Sequence, residues 1–491
     1  MTDYEVVIGL EVHSQLLTKS KMFCSCAAGY QNGEPNTIVC EVCMGMPGVL
    51  PVINRRAVEL VIATGLALDC TISEHTRFDR KNYPYPDLMK GYQISQFDRP
   101  IAAGGRLEIE SDGALKTIEV TRVHLEEDTA KLLHRDGQNG EGYSLLDINR
   151  AGVPLMETVS EPDMRSPDEA RSYLTSLHSI LRYIGVSTAN MEEGSFRCDA
   201  NISIRPRGAT ELGTKVEVKN MNSFRAVHRA LEFEAERQTR LAREGERIVQ
   251  ETRGWVEDRG VTVSQRTKEY ASDYRYLPEP DLPPLTIDRP WVEGVRSRLP
   301  ELPGARKARY VEEYGLPAYD AGLLTASRAT AEFFETVLAV RPLDAEESSR
   351  VAKLVSNWTI GELARLLKAT GVEMEAIKIQ PAHLMEMLDL IDSGALSTGM
   401  ARSVFEEMFN SGAPPKQIVD AGGMAQISDA GSILPAVEEA VARNPDPVND
   451  YLGGKETAMK YLVGQVMKIS RGQANPKLAS ELLKDKLESM R

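Results

Sequence analysis

The feature that most restricts how this 491-residue chain can fold is a period of two. From Cys198 the residues alternate, with Asp199, Asn201, Ser203 and Arg205 on one side and Cys198, Ala200, Ile202 and Ile204 on the other, as in a half-buried strand. Lys215, Glu217 and Lys219 alternate likewise with Val216 and Val218. Gly208 and Gly213 lie between the two runs, which predicts a β-hairpin with one row of charges and amides on a single face. An ordinary surface strand satisfies the same pattern. The carboxylates and amides at its ends, Glu192 and Glu193 before and Asn220 and Asn222 after, favour a site. Carboxylates beside lysine and arginine can hold a hydrated Mg²⁺ and the phosphates it binds. Asp199 and Glu217 are therefore candidate site carboxylates, and Asn201 and Lys219 candidate substrate or phosphate contacts.

Two other runs have the same period. In Val6 to Leu16, Glu11, His13 and Gln15 share a face while Leu10, Val12 and Leu16 share the other, so Glu11 and His13 point the same way and can bind one cation. A partly exposed edge strand has the same pattern. Thr121 to Thr129 ends in Glu126, Glu127 and Asp128, a crowding of acids that is costly when buried without a metal or lysine nearby. Alternation leaves open whether Glu126 or Glu127 faces the site. The stretch Phe78 to Asp87, with prolines at 84 and 86, predicts an extended loop that frees Arg80, Lys81, Asn82 and Tyr83 for a ligand, although solvation alone would explain its polarity.

The cysteines fall into a second pattern. Cys24-Ser-Cys26 and Cys40-Glu-Val-Cys43 are separated by thirteen residues that include Gly29, Gly33 and Pro35. Two close pairs joined by such a loop supply four thiolates for a closed, structural zinc site. Cys70 and Cys198 stand alone and read as buried small residues.

Length argues for about three domains. Asn54 caps a predicted helix from Arg55 to Ala67, Ser166-Pro-Asp-Glu169 is a capping box, and Ser223 to Glu244 reads as a long charged helix. The prolines of Asp273 to Pro284 mark a boundary, and the chain beyond reads as helical. Tyr274 and Tyr276 within it are expected to pack beneath the proline-rich segment rather than stack on a base. The net charge of −14 excludes a generally basic coat for nucleic acid. Tyr451 to Arg491, with eight basic and four acidic residues, still offers a local patch. No signal peptide and no apolar run of spanning length is visible, so the expectation is a cytoplasmic chain with no membrane partner.

Neither a G-x-x-x-x-G-K-[ST] loop nor a G-x-G-x-x-G helix start occurs, and no nucleophile signature stands out. Dispersed carboxylates, a histidine beside a glutamate and nearby lysines suit a metal-assisted reaction at phosphate.

The order of the motifs carries a resemblance. Gly9-Leu-Glu-Val-His13, Lys21-Met-Phe-Cys24, Pro47-Gly-Val-Leu-Pro51, Asp79-Arg-Lys-Asn82, His124-Leu-Glu-Glu-Asp128, Val159-Ser-Glu-Pro-Asp163 and Met191-Glu-Glu-Gly-Ser195 occur in sequence. Arg197-Cys-Asp-Ala-Asn-Ile-Ser203, Lys215-Val-Glu-Val-Lys-Asn220, Leu462-Val-Gly-Gln465 and Gly472-Gln-Ala-Asn-Pro476 follow. Over essentially its full length the chain resembles the B-subunit (GatB) family of bacterial aspartyl/glutamyl-tRNA amidotransferases.

The resemblance implies an ATP-dependent reaction on tRNA(Gln) or tRNA(Asn) mischarged with glutamate or aspartate. The side-chain carboxylate is phosphorylated, and ammonia then displaces phosphate. It implies Glu11, His13, Glu127 and Glu217 as Mg²⁺ residues, with Asp199 a further carboxylate, and favours Glu127 over Glu126. It implies Lys81 as a phosphate or substrate contact, and Cys24, Cys26, Cys40 and Cys43 as ligands of a structural zinc. Subunits A and C are the implied partners, since nothing here resembles the subunit that releases ammonia from glutamine. The implied fold is α+β: a cradle with a largely antiparallel sheet over 1–290, a helical domain over 291–410 and a helical tRNA-binding tail over 411–491. The competing reading is a tRNA-binding scaffold whose partner does the chemistry.

Overall fold

A computed structural model of the chain describes residues 3–136, 142–267, 274–422, 429–470 and 474–490. Asp273 of the proline-rich segment and Gly472 and Gln473 of the last motif lie outside the described residues.

The period-two runs become neighbours in one nine-stranded sheet. Its spatial order is Val261–Thr267, Glu251–Val256, Val216–Met221, Phe196–Pro206, Tyr4–Gln15, Pro154–Ser160, Ala114–Glu127, Ala102–Ser111 and Thr71–Ile72. Neighbours pair antiparallel except Val216–Met221 with Glu251–Val256, which run parallel. One face carries Ile8, Leu10, Val12, Ala200 and Ile202 into a core shared with the helices Arg55–Ala67, Pro167–Tyr183 and Phe224–Glu244. A slip of one residue in Tyr4–Gln15 would exchange Leu10 and Val12 for Glu11 and His13 in that core. Burying each apolar side chain contributes ~1.5–3 kcal/mol, so the register is firmly set.

The three helices start where their caps require. Asn54 accepts from the Arg56 and Ala57 amides at 2.9 and 3.3 Å, Ser166 from Glu169 at 3.2 Å, and Ser223 from Ala226 at 3.0 Å. The expected hairpin forms, with Asn201 opposite Glu217, but its register shifts between Cys198 and Ala200. Asn220 there takes φ 65°, the local cost of an extra residue in the strand. The expected loop at Phe78 to Asp87 instead contains a strand, Asp79–Asn82. It pairs with Tyr92–Ser95 and with Leu277–Pro278, nearly two hundred residues away, which local pattern could not reveal.

The chain divides into two units, Met1–Leu302 and Pro303–Arg491. The second is helical. Pro381–Asp392 buries Leu384, Met387 and Leu388, and Thr398–Ser411 buries Val404, Phe405 and Met408. Ile433, Val437, Leu462, Val466, Leu483 and Leu487 form a separate cluster among the last helices. Among the described residues no helix is long and apolar enough to cross a membrane.

Candidate active site

The face of the sheet opposite the helices lines a cavity of about 520 Å³. Register sets two rows across its floor: Arg197, His13, Glu157 and His124 in one, and Asp199, Glu11, Val159 and Arg122 in the next. His13 Nε2 lies 3.5 Å from Glu126 Oε1 and 3.4 Å from Glu157 Oε2, and His124 Nε2 lies 3.2 Å from the same Glu157 oxygen. His13, Glu126 and Glu157 each offer a ligand atom within 4.8 Å of the others. An imidazole and two carboxylates at the edge of a wet cleft fit a divalent cation that keeps part of its water shell.

Electrostatics in this row are strong because both glutamates are buried. Burial draws the His13 imidazole toward neutrality, but Glu157 first, then Glu126, overcome it and raise its pKa to about 9. Burial opposes charge on Glu157 too, and His124 and His13 hold its carboxyl well below the usual range. Asp128 beside them is also ionised. Burial opposes it, while Arg197, Arg150 and the Gln15 amide lower its pKa. Arg197 Nη2 donates to it at 2.9 Å and Gln15 Nε2 at 2.8 Å.

Glu11, Asp199 and Glu217 form the second carboxylate group of the cavity. Asn201 Nδ2 donates to Glu11 at 2.8 Å, and Lys219 Nζ donates to Asp199 at 2.5 Å while lying 3.6 Å from Glu217. Thr252 donates to Glu217 at 2.7 Å from the parallel strand. Asn201 and Lys219 are thus already engaged by carboxylates. Lys81 and Arg122 also line the cavity, and among the described residues neither side chain has a hydrogen bond or ion pair. The buried Arg122 Nε is without an acceptor. Despite burial, Glu126 and then Tyr276 and Glu157 keep Lys81 charged and its pKa raised.

One expected residue does not enter the cleft. Glu127 turns to the other side of its strand, where it accepts from Lys90 and, at 3.0 Å, from the Ile94 amide. It lines a smaller cavity beside the cysteine loop. The physical reason is alternation. Val123 and Leu125 face the core, so Arg122, His124 and Glu126 share the cleft face and Glu127 falls in phase with the apolar residues. That signal was present in the sequence once the phase was taken from the apolar positions. Glu157 lies outside the residues that sequence reasoning singles out; its signal there is a lone acid among Leu155, Met156 and Val159.

Away from the cleft, the Sγ atoms of Cys24, Cys26, Cys40 and Cys43 lie within 4.8 Å of one another. The Cys24 thiol, against the opposing effect of burial, lowers the Cys43 pKa to about 5, aided by the Cys40 amide at 3.1 Å and by Lys21. Four sulfurs with one already a thiolate are the donor set of a tetrahedral zinc.

Residues 6–293 match the GatB/GatE catalytic domain family and residues 343–487 the GatB domain family. The chain is 55% identical to a Dehalococcoides mccartyi protein over 99% of this chain and 100% of the relative. It is 52% identical to one from Carboxydothermus hydrogenoformans, over 100% of each, and 55% identical to one from Moorella thermoacetica, over 99% and 100%. All three relatives are named as the B subunit of an aspartyl/glutamyl-tRNA(Asn/Gln) amidotransferase.

Proposed function

The chain belongs to the GatB family of tRNA-dependent amidotransferase B subunits, components of a glutamine-hydrolysing ligase complex that amidates mischarged tRNA, and on that basis we propose that its cleft carries out carboxylate activation. ATP's terminal phosphoryl group passes to the side-chain carboxylate of glutamyl-tRNA(Gln) or aspartyl-tRNA(Asn), and ADP leaves. Ammonia then attacks the acyl carbon, phosphate departs, and the amide remains after proton loss. The observation that carries this reading is the convergence of His13, Glu126 and Glu157 in the same cavity as Lys81.

His13, Glu126 and Glu157 would hold Mg²⁺, which when bound neutralises charge on phosphate oxygens. Lys81 and Arg122 bind the phosphates, since among the described residues neither side chain is in an ion pair or hydrogen bond. The Asn201 and Lys219 contacts orient Glu11 and Asp199 toward the substrate. Asp128 holds Arg197 in place at the end of the row. Cys24, Cys26, Cys40 and Cys43 would hold a zinc that ties their loop and supplies no chemistry. Water competes with ammonia for an acyl phosphate, so ammonia comes from a glutaminase subunit, with subunits A and C as partners. We assign tRNA binding to the helical tail 411–491 and activation to the cradle over 1–290, with the helical domain 291–410 between them in sequence.

The test uses the assembled complex, mischarged tRNA and free ammonium, which bypasses the glutaminase. Glu157→Gln is expected to lower ATP-dependent amide formation by at least about 100-fold, the scale of removing a preorganised charge from such a site. Unchanged hydrogen-exchange protection of the strands Tyr4–Gln15 and Phe196–Pro206 excludes misfolding of the cradle. Full turnover in this variant would sink the reading and leave the scaffold alternative.

A further inference from the structure

Four aromatic rings form one wall of the cleft. Tyr83 meets Tyr274 edge-on at 5.7 Å, Tyr274 meets Tyr276 at 6.2 Å, and Tyr276 stacks on Phe97 at 4.2 Å with 12° between the planes. All four line the cavity, and Phe97 is 52% exposed. Phe196 and Phe334, by contrast, are fully buried in their cores. A parallel ring pair left open to a polar cleft is apolar area that a ligand can cover.

The rings are held in advance of any ligand. The Phe97 amide donates to Asp79 at 3.0 Å, and Arg77 lies 3.4 Å from the same carboxylate. Tyr276 immediately precedes Leu277, which pairs with Arg80 in the small sheet. Asn82 Nδ2 donates to the Arg275 carbonyl at 2.8 Å, and Arg275 between the two tyrosines takes φ 43°, a strained left-handed conformation. Lys81 Nζ sits 5.0 Å from the Tyr274 ring centre. It joins the aromatic wall to Glu126 and Glu157, whose charges reach it. Flat apolar surface, then a cation, then carboxylates with a histidine is the order in which a base, a phosphate and a metal would bind.

We propose that the Phe97–Tyr276 stack is a platform for an adenine ring, with Lys81 taking the adjoining phosphate. The proposal deepens the reading of the cleft as the activation site. That reading brings adenine there from two sources, ATP and the 3′-terminal adenosine of the tRNA, and both present the same face to an aromatic ring.

In the assembled enzyme, Phe97→Leu and Tyr276→Leu keep apolar bulk and remove the stack, whereas Phe97→Trp keeps it. Each leucine variant is expected to raise one KM, for ATP or for mischarged tRNA, by roughly 5- to 100-fold, the range for one stacked base. Phe97→Trp restores it. The KM that moves identifies the source. The indole introduced by Phe97→Trp reports binding directly: its fluorescence is quenched by ATP, or by an acceptor minihelix ending in CCA but not in CC. The same quench in Phe97→Trp combined with Glu157→Gln, read without turnover, keeps this proposal separable from the activation chemistry. Unchanged KM values in both leucine variants overturn it. So does the absence of quenching by either ligand, which also decides the matter where a leucine variant fails to fold.

Discussion

In the cleft row His13 keeps 21% side-chain exposure between two buried glutamates. Its pKa rises from 6.5 to about 9, so the protonated ring stabilises the metal-free fold fully below pH 6.5, and that stabilisation is lost as pH rises through 9. The linkage is worth about 3 kcal/mol. Urea unfolding of metal-free protein should lose roughly that much between pH 6.5 and 9, and His13→Gln should flatten the loss; equal slopes would refute the assignment. Metal binding has the opposite sign. A cation must displace the His13 proton, so Mg²⁺ affinity measured by calorimetry should rise about tenfold per pH unit below 9. At this scale the sequence supplied side-chain type and face. Glu11, His13, Asp199 and Glu217 were readable from alternation, whereas the partner of each charge was not, because partners lie on other strands.

Among the elements, the cysteine loop offers the cleanest separation of fold from chemistry. Its four sulfurs converge, while its backbone has no regular helix or strand and is held by turns and by contacts such as Val52 to the Phe23 carbonyl at 3.0 Å and Ile38 to Asn149 at 2.8 Å. A strong zinc chelator should accelerate hydrogen exchange over residues 20–53 and leave the strands Tyr4–Gln15 and Phe196–Pro206 protected. Uniform loss of protection would mean that the metal supports the whole cradle. Helix starts were legible because a cap is satisfied within three residues, as at Asn54, Ser166 and Ser223. In sequence the strand Asp79–Asn82 reads only as an extended loop, because its partners at Tyr92–Ser95 and Leu277–Pro278 are set by the fold.

Across the whole molecule, the cradle core and the tail cluster share no residue. Leu483→Ala, at a fully buried tail position, is expected to destabilise the last helices by ~2–5 kcal/mol, the range for a buried leucine. Exchange at Leu462 and Val466 should then quicken while Leu10 and Ala200 stay protected; acceleration at both would disprove separate cores. Local periodicity and the order of motifs were enough to specify the family, the α+β class, the cap positions, the four converging cysteines and the polar faces of the strands. A single chain displays such signals without folding. Long-range packing was needed to show that Glu157 joins His13, that among the described residues Lys81 and Arg122 have no carboxylate in hydrogen-bond reach, and that Tyr274 and Tyr276 line a cavity. Each of those depends on which strands lie side by side and in what register. That choice is made by the burial of Ile8, Leu10, Val12 and their neighbours, which contribute to the core and never touch the site.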